Sequence, residues 1–154
     1  MDLSTTEARL TLTRKYAAKY ALESAIVAAV CEQESNWNPY AVRWEPGFYN
    51  KYIVSMSFAD PTEKQLRACS FGLMQVMGQT ARELGFQGKF LTQLCDPDVG
   101  VDCGCRKLRK CFMDYGGNDE TALLSYNGGG NPDYGKQVLA RMVHYQPSNG
   151  TGVA

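Results

Sequence analysis

One stretch limits this chain more than any other: Val27-Ala28-Ala29-Val30-Cys31-Glu32-Gln33-Glu34-Ser35-Asn36-Trp37-Asn38-Pro39. Its first half is apolar, and near its end a carboxylate stands where a hydrophobic residue would fit. With residues 23–34 as a helix at about 100° per residue, Val27, Val30 and Cys31 share one stripe, and Glu34 falls within it. Glu32 falls on the opposite, wet face and is expected to titrate normally. Partial desolvation disfavours a carboxylate, so Glu34 is expected to keep its proton to higher pH. A carboxyl protonated near neutral pH is a general acid. The same pattern also fits a glutamate that ends a helix, caps a neighbour or pairs with one of the 16 Lys and Arg residues, because structural ion pairs also perturb acids. Asn38-Pro39 opposes further helix, which leaves the acid where a helix opens into a loop.

At 154 residues the chain fits one domain with a single substantial core. The 16 basic and 16 acidic residues cancel, so overall charge gives no drive toward nucleic acid. Arg106-Lys107-Leu108-Arg109-Lys110 is the densest basic cluster and reads as a solvated helix face. No positive segment followed by an apolar run opens the sequence, and no later run is long and apolar enough to span a bilayer. The expectation is therefore no signal peptide and no membrane insertion.

Six cysteines, Cys31, Cys69, Cys95, Cys103, Cys105 and Cys111, raise disulfide and metal readings. On a helix over 97–115, Cys103 and Cys111 lie about 12 Å apart along the axis, beyond disulfide reach. Paired Cys-x-x-Cys motifs are absent and His144 is the single histidine, so neither metal nor cofactor is expected. Buried thiols acting as small apolar residues fit better.

The pattern predicts mainly helix. Ser4 and Glu7 stand in capping-box spacing before a packing helix to about Tyr20. Gly72-Leu73-Met74-Gln75 introduces a helix ending near Leu84. Asp96-Pro97 reads as N-cap and first position of a helix with Val101, Cys105, Leu108, Phe112 and Tyr115 on one face, stopping at Gly116-Gly117. Asp119-Glu120-Thr121 starts a short helix into Tyr126-Asn127, and Asn131-Pro132 caps a last one containing Tyr134, Val138 and Met142. Trp44, Phe48, Tyr49 and Tyr52 form an aromatic group that could stack on sugars but fits a core better.

Three blocks in order, Glu34-Ser35 with Pro39, then Ser70-Phe71-Gly72-Leu73-Met74-Gln75-Val76-Met77, then Ser125-Tyr126-Asn127-Gly128-Gly129, carry a resemblance. The chain resembles the soluble lytic transglycosylases and goose-type lysozymes, of the glycoside hydrolase family 23 kind, over roughly residues 22–145. The resemblance implies a mainly α, lysozyme-like single domain over 1–154: several helices around a glycan-binding cleft with at most a small β element. Residues 1–21 are then an N-terminal packing helix, 22–145 the catalytic core and 146–154 a polar tail.

It also implies roles. Glu34 is the general acid and then base. Gln75 and Met77 contact the sugar beside the scissile bond, Ser70 is a looser match, Tyr126 brings its hydroxyl near the acid, and Asn127 binds substrate or holds the turn. Gly72 would let backbone approach the glycan closely. Ordinary glycosidases use two carboxylates, and Glu45 and Asp60 are the possible second ones, the latter also fitting a helix cap. The implied activity is cleavage of the β-1,4 bond between N-acetylmuramic acid and N-acetylglucosamine in peptidoglycan glycan strands, forming 1,6-anhydro ends. Alternatives are a hydrolytic muramidase, a chitinase, or a glycan-binding or virion structural protein. The partner is the glycan, with no nucleic acid, and the unit a monomer. A phage-type endolysin is expected, made in the host cytoplasm, acting on the cell wall or periplasm and released by a holin or carried on a virion, with a mature domain cut from a longer precursor as the third reading.

Overall fold

A computed structural model describes residues 2–116 and 118–146. The expected helix stop at Gly117 and the polar tail over 147–154 lie outside the described residues. At the centre is α2 (Ser24–Ser35), in which every residue from Ala25 to Cys31 is buried. It is therefore a core helix rather than a one-sided one, and each buried valine contributes about 1.5–3 kcal/mol of apolar transfer. Helix α1 (Thr6–Tyr20) packs on one side of it and α8 (Tyr134–Arg141) on another. Thr5, rather than Ser4, caps α1 by accepting from the Ala8 amide at 3.2 Å; the Ser4 hydroxyl turns back to Asp2.

Helix α6 (Pro97–Asp114) begins as its sequence predicts, with Asp96 accepting from the Asp98 and Val99 amides and Pro97 at the first position. It packs on α1 through matched i, i+4 pairs. Lys15 and Tyr16 converge on Asp98 at 2.6 and 2.7 Å, and Lys19 and Tyr20 on Asp102 at 2.5 and 3.0 Å. Helix α7 (Asp119–Tyr126) packs against both α6 and α8. Gly135 lets α8 come close, since a Cβ there would lie 2.7 Å from the Glu120 carbonyl oxygen.

Between α2 and α6 the chain builds a small lobe. Three short strands, β1 (Val42–Trp44), β2 (Cys69–Phe71) and β3 (Val76–Met77), form an antiparallel sheet in that order, with Val42 opposite Phe71 and Ser70 opposite Met77. Helix α3 (Pro46–Phe48) runs into a π-helical turn (Tyr49–Ile53), followed by α4 (Pro61–Leu66), α5 (Gly78–Glu83) and a 3-10 turn (Leu91–Cys95). The helix expected from Gly72 is a β-turn up to Gln75, and helix begins only at Gly78. Gly72 and Gln75 both take positive φ, +69° and +46°, which reverses the strand. A Cβ on Gly72 would meet the Leu94 carbonyl oxygen at 2.3 Å, so what this glycine admits is the 3-10 turn and not the glycan.

The aromatic group expected in the core is at the surface. Trp44 and Tyr52 are 44% and 49% exposed, in ring contact with Tyr49 and Phe48 at centroid distances of 5.1 and 4.9 Å. All six thiols are free, with five buried and Cys95 partly so.

Candidate active site

A cleft of about 690 Å³ lies between the sheet lobe and the helices, with Glu34 among its lining residues. Two features hold Glu34 at its mouth. Asn36 and Trp37 take left-handed φ of 48° and 64° and end α2 one residue after the acid's neighbour Ser35, ahead of Pro39. The Ser35 hydroxyl reaches the Leu73 carbonyl at 2.9 Å and the Cys31 carbonyl at 3.0 Å, tying the end of the helix to the β2–β3 turn. This is the local reason for a serine beside the acid.

Burial pushes the Glu34 carboxyl above the ordinary glutamate value, while a hydrogen bond from Tyr134 and the charges of Lys107 and Arg43 pull the other way without cancelling it. The Tyr134 hydroxyl donates to Oε1 at 2.6 Å. Glu32 was expected to titrate normally and does not. Burial raises it, but the Tyr145 hydroxyl at 2.6 Å, His144 at 3.2 Å and the charges of His144 and Arg141 outweigh that and carry it below the ordinary value. Two carboxyls two residues apart are thus driven in opposite directions.

The expected site residues divide into those whose polar atoms are already used and those that only line the cleft. Gln75 lines it, yet its amide donates to the Ala41 and Gly72 carbonyls at 3.0 and 2.9 Å, and its oxygen accepts from Ser70 at 2.9 Å. Its donors and acceptor therefore hold the turn rather than standing free for a sugar acetamide, and the buried Ser70 hydroxyl serves the same bond. Tyr126 lines the cleft but directs its hydroxyl to the Met74 carbonyl at 2.7 Å. The hydroxyl on the acid is that of Tyr134, which the sequence presents only as a packing residue. Asn127 accepts from the Asn131 amide at 2.9 Å and holds the glycine loop, and Met77 faces the cleft.

Of the possible second carboxylates, Glu45 lines the cleft in an ion pair with Arg43. Asp60 does not: it caps α4, accepting from the Thr62 and Glu63 amides at 2.7 and 3.1 Å. The basic cluster on α6 is only in part a solvated face: Lys110 is exposed, but two members turn inward. Arg106 donates to the Leu84 carbonyl at 2.7 Å, and Lys107 to the Tyr126 carbonyl at the cleft wall, also at 2.7 Å. A run of like charges gives no sign of which members turn inward.

The fold is that of known lytic transglycosylases. The 70 kDa soluble lytic transglycosylase of Escherichia coli superposes over 86% of this chain with a TM-score of 0.57 at 22% identity, and the chain covers 18% of it. An inactive mutant of the lytic transglycosylase Slt from Pseudomonas aeruginosa superposes over 93% with a TM-score of 0.62 at 21% identity, with 24% of that chain covered. Membrane-bound lytic murein transglycosylase C of Yersinia pestis is 27% identical over 94% of this chain, which spans about a third (36%) of that relative's length. This relative overturns the expectation of a phage-type enzyme made in a host cytoplasm and released by a holin or a virion, for it is a bacterial protein named as membrane-bound. Among the described residues no helix is long and apolar enough to cross a membrane. The model of the transglycosylase SLT domain matches residues 11–141, and the chain belongs to that family.

Proposed function

We propose that this domain cleaves the β-1,4 bond between N-acetylmuramic acid and N-acetylglucosamine in peptidoglycan, as a lytic transglycosylase acting through Glu34. The observation that carries the reading is the state of that one side chain: a carboxyl raised by burial, lining an open cleft and oriented by the Tyr134 hydroxyl. The names of the bacterial relatives and the family membership support the same substrate class.

In this reading protonated Glu34 gives its proton to the glycosidic oxygen as the bond to C1 of the muramic residue breaks, so that the departing sugar leaves as a neutral alcohol. The Glu34 carboxylate then takes the proton of the C6 hydroxyl while that oxygen bonds to C1. The product is a 1,6-anhydro end, water is not consumed and Glu34 is protonated again. The raised carboxyl follows the pattern of a general acid in an apolar pocket. Gln75 and Ser70 shape the turn that forms one wall, Met77 and Asn127 face the glycan, and Tyr126 acts through its ring and backbone. In this reading residues 22–145 form the catalytic core and the unit is a monomer.

Mass spectrometry of fragments released from purified peptidoglycan tests this, with Glu34→Gln in parallel. Ends one water lighter than a reducing sugar and resistant to borohydride are expected from the wild type, and none from the variant. Reducible ends would instead support a hydrolase in which Glu45, the other carboxylate lining the cleft, handles water. No fragments, or equal fragments from the variant, would overturn the role of Glu34.

A further inference from the structure

Arg43 and Lys107 bring positive charge to the cleft that Glu34 lines. Arg43 is spent on Glu45, and with 70% of its side chain exposed its field is screened by water. Lys107 is held differently. It projects from the middle of α6, is partly buried, and donates to the Tyr126 carbonyl at 2.7 Å while its Nζ lies 4.1 Å from the centroid of the Tyr126 ring. An ammonium has three donors, and a carbonyl and a ring face satisfy only part of its demand. Among the described residues Lys107 forms no ion pair, and its two close contacts are the Tyr126 carbonyl and ring.

We propose that Lys107 is a positioning residue for the acid step: seated on the Tyr126 carbonyl and ring in the wall of the cleft that Glu34 lines, its ammonium supports the carboxylate that appears when Glu34 releases its proton. The inference rests on Glu34 being the general acid. Other groups of the described residues interact with Glu34: Cys31 from its own helix, Arg43 from β1 with Glu45 beside it, Tyr126 from α7 and Tyr134 from α8. Burial raises the Cys31 thiol and both tyrosine hydroxyls, so these stay neutral over the working pH range. Among the described residues that leaves the screened Arg43–Glu45 pair and Lys107 as the charges that bear on Glu34. Burial pulls the Lys107 ammonium below its ordinary value, and the charge of Glu34 opposes that.

The test compares the pH dependence of kcat on soluble peptidoglycan for wild type, Lys107→Met and Lys107→Arg. Removing the charge moves the alkaline limb, where Glu34 loses its proton, to higher pH. It also lowers kcat on the acid side several-fold, because a weaker acid transfers its proton less readily. Lys107→Arg restores the limb. A lysine that merely caps α7 predicts a lower Tm for Lys107→Met with the limb unmoved, and that result would overturn the proposal.

Should Lys107→Met fail to fold, the Lys107 Cε resonance of the wild type carries the same test. It steps at the pH where Glu34 titrates and loses that step in Glu34→Gln; a wild type without the step overturns the proposal. If the wild type releases no fragments at all, the glycan-cleaving reading fails, and the resonance still decides whether Lys107 and Glu34 are coupled.

Discussion

The Tyr134 hydroxyl meets Glu34 Oε1 at 2.6 Å, joining the end of α2 to the start of α8 across 100 residues of sequence. Because a hydroxyl can only donate to a carboxylate, the bond favours the ionised form and opposes the effect of burial. The acid is thus raised by its surroundings and restrained by one tyrosine.

Tyr134→Phe removes that restraint. The alkaline limb of kcat is expected to move to higher pH, since the carboxylate loses a donor. Hydrogen bonds to charged groups contribute about 1.5–3 kcal/mol, so turnover is expected to fall roughly tenfold to a hundredfold. Wild-type turnover from the phenylalanine variant would show that the hydroxyl is incidental to the chemistry.

The raised carboxyl has a cost for the fold. Glu34 holds its proton more tightly in the folded chain than in the unfolded one. Between the ordinary glutamate value of about 4.3 and the raised folded value, the folded state binds more protons, so stability falls as pH rises through that window. Glu34→Gln abolishes this titration. Its Tm is expected to match wild type below about pH 4 and to exceed it at neutral pH. Scanning calorimetry across that range checks the sign, and a gap that narrows with rising pH would contradict it.

What the sequence discloses depends on how local the cause is. Glu34 is legible because its apolar helix surrounds it within a few residues, and Asp96-Pro97 because a cap and its helix are adjacent. Tyr134 is hidden: its spacing to Val138 is that of a packing stripe, and nothing nearby says that its hydroxyl meets an acid 100 residues away. Glu32 misleads for the same reason, since its partners Arg141, His144 and Tyr145 come from the far end of the described chain. Strands of two or three residues are too short to show alternation, which is why the β2–β3 turn reads as the start of a helix.

Gln75 separates a sugar contact from a structural one. With its amide and oxygen engaged by Ala41, Gly72 and Ser70, Gln75→Ala removes three hydrogen bonds; the two carbonyls keep backbone amide donors, while the buried Ser70 hydroxyl loses its acceptor. Each buried group left unsatisfied costs about 1–3 kcal/mol, so urea denaturation is expected to show a loss of that order or more. A residue that only bound the acetamide would raise KM and leave the denaturation midpoint in place.

Gly135 links packing to the acid most directly. On α8, next to Tyr134, it faces Glu120 of α7, whose carbonyl oxygen and Cα would lie 2.7 and 2.8 Å from an added Cβ. Backbone cannot yield as a side-chain tip can, so Gly135→Ala must push α8 away from α7. Overpacking of this kind costs about 1–3 kcal/mol, expected as a lower denaturation midpoint with an unchanged m-value. The displaced helix carries the Tyr134 hydroxyl away from Glu34, so turnover is expected to fall even well below the variant's Tm, with the alkaline limb moving in the direction seen for Tyr134→Phe. Full turnover in a folded but destabilised Gly135→Ala would mean that the seating of α8 on α7 does not set the distance between Tyr134 and Glu34.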